Sequence, residues 1–362
     1  MTTGMASEAA HIAYLESWFG VSFDQPSDAS GAYGAVHFGQ RDGERVVVKL
    51  LRDKDRGRHH SWHEAMMLDE LDSAACEPPL HVPQFIETDT DDDGTGFVVS
   101  TYVEGDVVTA DQLNRYYQLD PVAQQELGTK IGSFVAWLAQ TITPGKFFEL
   151  VGDEPLLFAD RTERLYRLSM NADFLQQMGV PRLAGIVEDL TQEHLAYFPD
   201  GVEPRPIIGH SDLRPNNLTF TTSGSVDQPC YVPVGVIDFG ATQPSSPERE
   251  LRHLAALGLG EAVKSAATAY HEQTGSEVDL ELINFWARVQ TATILGWSAA
   301  LGIRLETGTT HVLEMMRTWY PDLPMNELRC LPGAFFLQQA GMILNRNGKP
   351  ESLEVPAESR PV

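Results

Sequence analysis

The chain has 362 residues, 42% of them hydrophobic, a formal charge of -25 and three scattered cysteines. That is enough for a sizeable core and for two domains or one fold divided into lobes, while the acidic balance argues against a nucleic-acid partner, whose phosphates need basic clusters. Residues 1–40 hold no Lys or Arg, no apolar run approaches the ~18 residues of a membrane span, and Cys76, Cys230 and Cys330 lack metal-ligand spacing, so a cytoplasmic protein that binds no membrane is expected.

Taken in chain order, residues 31–52 predict two strands, GAYGAVHFGQ and RVVVKLL, joined at Asp42-Gly43, a dipeptide that accepts a hairpin turn. Glu64, Met67, Leu68, Leu71 and Ala75 then recur at helical spacing, and one plain alternative for Glu64 is a capping box with Ser61 in SWHE at a helix start. The run GFVVSTYV, 96–103, is strand-like and ends before Gly105. Beyond it the pattern turns helical: Leu127, Ile131, Phe134, Val135 and Leu138 form one stripe, and amphipathic stretches follow at 161–178, 183–197, 249–271 and 279–304. The expected organisation is a β-rich segment 1–104 with one helix, a mainly helical segment 105–345, and a loose polar tail at 346–362.

Among the helical stretches sits IIGHSDLRPNNLTF, 207–220, where an apolar strand opens into His210, Asp212, Arg214, Asn216 and Asn217; Asp238 follows 21 residues after Asn217, behind the apolar YVPVGVID. A magnesium ion takes hard oxygen ligands and keeps company with phosphate, so an amide oxygen and a carboxylate on neighbouring loops suit it. Asp212 is then free to accept a proton from a hydroxyl, and that division of labour is what phosphoryl transfer requires.

HSDLRPNN followed by VIDFG resembles the catalytic and metal-binding motifs of the aminoglycoside phosphotransferases and their small-molecule kinase relatives. VVVKLL, HEAMMLDEL and VVSTYVEG extend the resemblance to the family's ATP-binding part, in the right order over residues 30–255. It implies an α+β, bilobal protein-kinase-like fold, with a β-rich N-terminal lobe and a mainly helical C-terminal lobe, and an enzyme that moves the γ-phosphoryl group of ATP to a hydroxyl of a small molecule. By the same resemblance Asp212 is the catalytic base, and Asn217 and Asp238 hold Mg2+. Lys49 contacts the α- and β-phosphates, Glu64 orients it, and the amides from Ser30 and Gly31 through Ala32, Tyr33, Gly34 and Ala35 cover the phosphates. Adenine pairs with the carbonyl of Thr101 and the amide of Val103, His210 is a structural support, and Arg214 reaches the transferred phosphoryl, which a guanidinium binds well.

Several of these residues have plainer readings. Lys49 alone suits an exposed strand end, Glu64 suits a cap with Glu70 as the alternative partner of Lys49, and Asp238 suits a turn. His59, His60 and His63 suit a solvated helix start better than a metal site. A protein kinase is the chief rival, but only five residues separate Asp238-Phe239-Gly240 from SPE at 246–248, too few for a peptide-presenting activation loop. A non-catalytic nucleotide-binding scaffold is the other rival. Departures from the family's pattern are the two glycines, Gly31 and Gly34, of the phosphate-covering segment, a longer connection from Asn217 to Asp238 that predicts an extended hairpin, and Glu250-Leu251-Arg252 where many relatives have Asp-Leu-Ala. Asp153, Glu154, Asp160, Trp286, Trp297 and Trp319 are candidates for an acceptor pocket, and carboxylates or aromatic faces there would suit a cationic acceptor, although tryptophans in such helices are more often core.

Overall fold

A computed structural model describes residues 12–17, 19–23, 34–51, 54–90, 96–118, 120–151, 172–173, 175–176, 181–199, 206–225, 228–301, 315 and 318–321. Ser30, Gly31, Ala32 and Tyr33, the pocket candidates Asp153, Glu154 and Asp160, the side chain of Trp297, most of the stretch at 161–178 and the tail at 346–362 lie outside the described residues. By contact the chain divides into two compact units: residues 1–158, 204–254 and 259–280 form the first, and residues 159–203, 255–258 and 281–362 the second.

In the first unit, strands β1 (Ser22–Phe23), β2 (Gly34–Arg41), β3 (Glu44–Leu51), β4 (Phe85–Thr90) and β5 (Gly96–Thr101) form an antiparallel sheet in the order β1-β2-β3-β5-β4. The predicted hairpin is present, and Asp42 and Gly43 turn it at φ of 54° and 84°. Alternation along β3 sends Val46, Val48 and Leu50 into a core with Val21, Ala35, Phe97 and Val99, and places Lys49 on the other face.

Helix α1 (Lys54–Asp72) buries Ala65, Met67, Leu68 and Leu71. It differs from the predicted helix at both ends. Since it begins at Lys54, Ser61 lies inside the helix and not at its start. Since it stops at Asp72, whose carboxylate accepts the Phe85 amide, Ala75 lies beyond it and is exposed.

The chain continues through β6 (Asp106–Val107), α2 (Ala110–Tyr117), α3 (Pro121–Thr141) and α4 (Pro144–Val151). Asp120 caps α3 by accepting the amides of Val122 and Ala123, with Pro121 in the first turn where its missing N–H costs nothing. The predicted stripe on α3 is buried from Leu127 to Leu138. The strands β7 (Ile207–Gly209), β8 (Leu218–Ser225), β9 (Gln228–Val236) and β10 (Gln243–Ser245) make two small sheets, β7 with β10, and β6-β8-β9. The long connection between Asn217 and Asp238 is the expected extended hairpin, β8–β9.

The stretch predicted at 249–271 is two helices, α6 (Pro247–Ala256) and α7 (Gly260–Thr274), separated around Gly258 at a φ of 74° that glycine alone takes without strain. Helix α7 packs against α3 at Gly128 and Gly132, where a Cβ would stand 2.1 Å from the carbonyl oxygens of Ala262 and Ala266. In the second unit, α5 (Pro181–Tyr197) contributes Leu183, Ile186, Val187 and Leu190 to a core with Phe285 and Trp286 of α8 (Leu280–Leu301), and Arg288 pairs with Glu193. Trp286 is buried in this core and Trp319 packs against it, the structural role tryptophans in such helices more often have.

Candidate active site

Lys49 connects the sheet to the rest of the site. Its Nζ lies 2.5 Å from Glu64 Oε1 on α1 and 2.8 Å from Asp238 Oδ1, 189 residues further along the chain. Of its two alternative partners, Glu64 is the one the structure brings to it; Glu70 instead pairs with Lys146 at 3.2 Å. Burial works against the charge of Lys49, yet Glu64 and Asp238 hold the ammonium above the ordinary lysine range. The charge of Lys49 holds Asp238 below the usual carboxylate range. Burial pushes Glu64 up, against the pull of Lys49. Helix α1 is also tied to the loop after Asp238, because His63 Nε2 meets the Thr242 carbonyl at 2.7 Å. His63 is thus buried rather than part of a solvated helix start.

The loop from His210 to Asn217 follows β7 and is stitched by its own backbone. Arg214 N–H donates to Asp212 O at 2.8 Å, Asn217 N–H to Arg214 O at 2.8 Å, and Ile237 N–H to Asn217 O at 2.9 Å. The last bond brings the base candidate and the metal candidates together. Asn217 Nδ2 donates both to Asp212 O at 2.8 Å and to Asp212 Oδ2 at 2.9 Å, so its amide oxygen is the atom left for a cation. Arg214 Nε lies 3.0 Å from the same Oδ2. Asp238 follows β9 in the left-handed conformation, φ 70° and ψ 66°, with its side chain half-exposed. Among the described residues no group of three His, Cys, Asp or Glu side chains forms a metal cage.

His210 is fully buried, stacks edge-on against Phe239 with ring centroids 4.8 Å apart, and holds Ile237 O at 3.0 Å through Nε2. Burial lowers its pKa, so the ring is a neutral strut, the supporting role its place in the motif implies. Ser211 is a non-glycine residue at φ 66°. Its N–H donates to Glu250 Oε2 at 2.8 Å, and its carbonyl accepts from Arg252 Nη2 at 2.5 Å. Glu250 in turn accepts from Ser245 Oγ at 2.6 Å. Glu250 and Arg252 stand out in the sequence only as a departure after the metal loop; their action on the backbone of one residue, Ser211, is visible only in three dimensions.

Between β5 and β6, Tyr102 N–H donates to Arg45 O at 3.0 Å and Thr101 N–H to Gln84 O at 3.0 Å, while the Arg45 guanidinium covers the Tyr102 ring at 3.8 Å. These contacts fix the backbone of Thr101 and Tyr102; the Thr101 carbonyl and the neighbouring Val103 amide could take an adenine edge. Gly34, the last of the phosphate-covering candidates, opens β2 and pairs with Leu51.

A sheet-rich N-terminal region, a helical C-terminal part and a lysine–carboxylate bridge beside an HxD loop define a protein-kinase-like fold. The sequence matches the profile of the phosphotransferase enzyme family over residues 27–285, and the chain belongs to that family. The fold is similar to that of an aminoglycoside 2'-phosphotransferase-IIIa variant in complex with GDP, at a TM-score of 0.62 and 15% identity over 88% of this chain and 99% of the other. It is also similar to spectinomycin phosphotransferase in complex with ADP and spectinomycin, at 0.52 and 12% over 91% and 98%, and to macrolide 2'-phosphotransferase type I, at 0.52 and 14% over 86% and 97%. No curated protein matches the chain in sequence. No helix among the described residues is long and apolar enough to cross a membrane.

Proposed function

We propose that this phosphotransferase carries the γ-phosphoryl group of Mg2+-ATP to a hydroxyl of a small molecule in the cytoplasm, with lobes at 1–104 and 105–345. The observation that carries the reading is the bridge from Lys49 to both Glu64 and Asp238, within 2.8 Å, beside an Asp212 carboxylate already oriented by Asn217 and Arg214. Structural relatives held with GDP or ADP support nucleotide use, and the kanamycin and spectinomycin complexes among them support a hydroxylated small-molecule acceptor.

Each side chain has one task in this reading. Asp212 Oδ2 is occupied by Asn217 and Arg214, so Oδ1 takes the proton of the acceptor hydroxyl and aims its oxygen. The Asn217 amide oxygen and the Asp238 carboxylate would hold Mg2+, which would supply positive charge to offset the charge of the phosphates. Lys49, kept charged by Glu64, would bind phosphate oxygens. Arg214, half-exposed beside Asp212, stabilises charge on the group in flight. The segment from Ser30 to Gly34 covers the phosphates, and Thr101 O with Val103 N–H reads adenine.

The test is ADP or GDP release from Mg2+-ATP or Mg2+-GTP across a panel of hydroxylated metabolites, aminoglycosides and macrolides. A stimulated, metal-dependent release that Asp238→Ala abolishes is expected. Full turnover by Asp238→Ala would overturn the metal assignment, and no stimulation by any hydroxyl compound would return the scaffold reading.

A further inference from the structure

The left-handed residue immediately before the proposed base sits in an unusual setting. For an L-residue with a Cβ, positive φ is disfavoured unless the surroundings over-determine it. The Ser211 side chain contributes nothing to that: its Oγ is buried with no hydrogen-bond partner among the described residues. The backbone groups of Ser211 are instead gripped at both ends by oppositely charged side chains from one turn of α6. Glu250 Oε2 accepts the N–H at 2.8 Å and Arg252 Nη2 donates to the carbonyl at 2.5 Å.

Both side chains are nearly inaccessible, with Glu250 1% and Arg252 6% exposed. The second arm of each is anchored, Glu250 Oε1 by Ser245 Oγ and Arg252 Nη1 by the Arg249 carbonyl. The pocket is fitted to the carboxylate: a Cβ on Gly209 would lie 2.4 Å from Glu250 Oε1. The carbonyl that Arg252 holds belongs to the peptide bond leading into Asp212, so the guanidinium fixes the plane from which the Asp212 side chain departs.

We propose that Arg252 is a positioning residue for phosphoryl transfer, locking the Ser211–Asp212 peptide in its left-handed arrangement so that the Asp212 carboxylate is aimed before any substrate arrives. The proposal rests on Asp212 being the base. It differs from a merely structural role in one consequence: glycine at 211 adopts positive φ without strain and loses no side-chain bond, so it should make the clamp dispensable.

The experiment compares Arg252→Met, which fills the space without donors, with Ser211→Gly and the double variant, all in the full-length protein. Backbone chemical shifts of Ser211 in the nucleotide-free protein report its φ without reference to any reaction; turnover is read as ADP release from Mg2+-ATP with water as acceptor. Arg252→Met should move Ser211 out of the left-handed range and lower kcat at least about tenfold, as expected for a misaimed base, with the KM for ATP within about threefold. Ser211→Gly should be near wild type, and in the Arg252→Met background it should recover most of the lost kcat. Ser211 shifts unchanged by Arg252→Met, or a kcat loss that Ser211→Gly leaves untouched, would overturn the proposal. If Arg252→Met does not fold, Ser211→Gly should restore folding and turnover together, and failure to do so counts against it. If the wild-type protein shows no turnover with water as acceptor, the Ser211 shifts alone decide on Arg252, and the kinase reading is decided separately by the panel of hydroxyl acceptors.

Discussion

At the scale of single residues, Asp212 and Lys49 separate chemistry from binding. Asp212→Asn keeps the size of the side chain and an oxygen for Arg214 or Asn217, but removes the basicity. Nucleotide affinity by calorimetry should stay near wild type while turnover falls about 10²- to 10⁴-fold; turnover within about threefold of wild type would reject Asp212 as the base. Lys49→Ala should do the opposite to binding and also cost stability. It strands Glu64, whose side chain is only 6% exposed, beside Asp238, and removing one member of a buried pair costs on the order of 2–3 kcal/mol. Adding Glu64→Gln should return part of that stability in urea melts without returning nucleotide affinity; if it returns none, the pair does not hold α1 to the sheet. That Asn217 meets Asp212 and Lys49 meets Asp238 could be anticipated from the sequence because these polar side chains stand at motif spacings. The partner of Lys49 was not decided there, since Glu64 and Glu70 were both candidates, and the contacts of Lys49 with Glu64 and of Lys146 with Glu70 separate them. Glu250 and Arg252 were hidden for a different reason: they act on the φ of Ser211, and a backbone angle leaves no mark in a sequence.

At the scale of elements, hydrophobic period placed strands and helices well but their ends less well. The stripe on α3 was visible because Leu127, Ile131, Phe134 and Val135 all bury into one face. The contact of α3 with α7 was not visible, because it runs through small residues: Gly128 and Gly132 against Ala262 and Ala266. This close approach gives a sharp expectation. Alanine at Gly132 would gain about 1 kcal/mol of helix propensity but would drive a Cβ to 2.1 Å from the Ala266 carbonyl oxygen. A backbone atom cannot swing aside as a side-chain tip can, so overpacking should dominate. Gly132→Ala is expected to lose on the order of 1–3 kcal/mol in urea unfolding, with KM for ATP unchanged because no site residue lies on this contact. A stabilised Gly132→Ala would show that α3 and α7 sit further apart than described. The failed capping box belongs to the same scale: Ser61 and Glu64 match the motif locally, but seven helical residues precede Ser61 in α1, so the backbone donors a cap would satisfy are already engaged.

For the whole molecule, the charge of -25 and the buried histidines act in different pH ranges. Carboxylates are mostly ionised above about pH 5, so the acidic self-repulsion changes little between neutrality and there. Histidine is what titrates in that window. His253 on α6 is buried, and its pKa is held well below the ordinary value of 6.5 first by burial and then by the charges of Arg252, Arg214 and Arg249 together with His210. In the unfolded chain the ring takes up a proton near 6.5, while in the fold it resists, so the unfolded state binds more protons below that value. Stability is therefore full above about 6.5 and is lost as the pH falls, at up to about 1.4 kcal/mol per unit, until the ring charges in the fold as well. His210 is shifted in the same direction and adds to the slope. Replacing His253 by Gln removes one of the two contributions and leaves the other. The stability lost between about pH 6.5 and 5.5, measured by urea unfolding at fixed salt, should shrink by about 1 kcal/mol in His253→Gln. An unchanged slope would mean that His253 is already protonated within the fold, which would place a second positive charge beside Arg252 and weaken its hold on the carbonyl of Ser211.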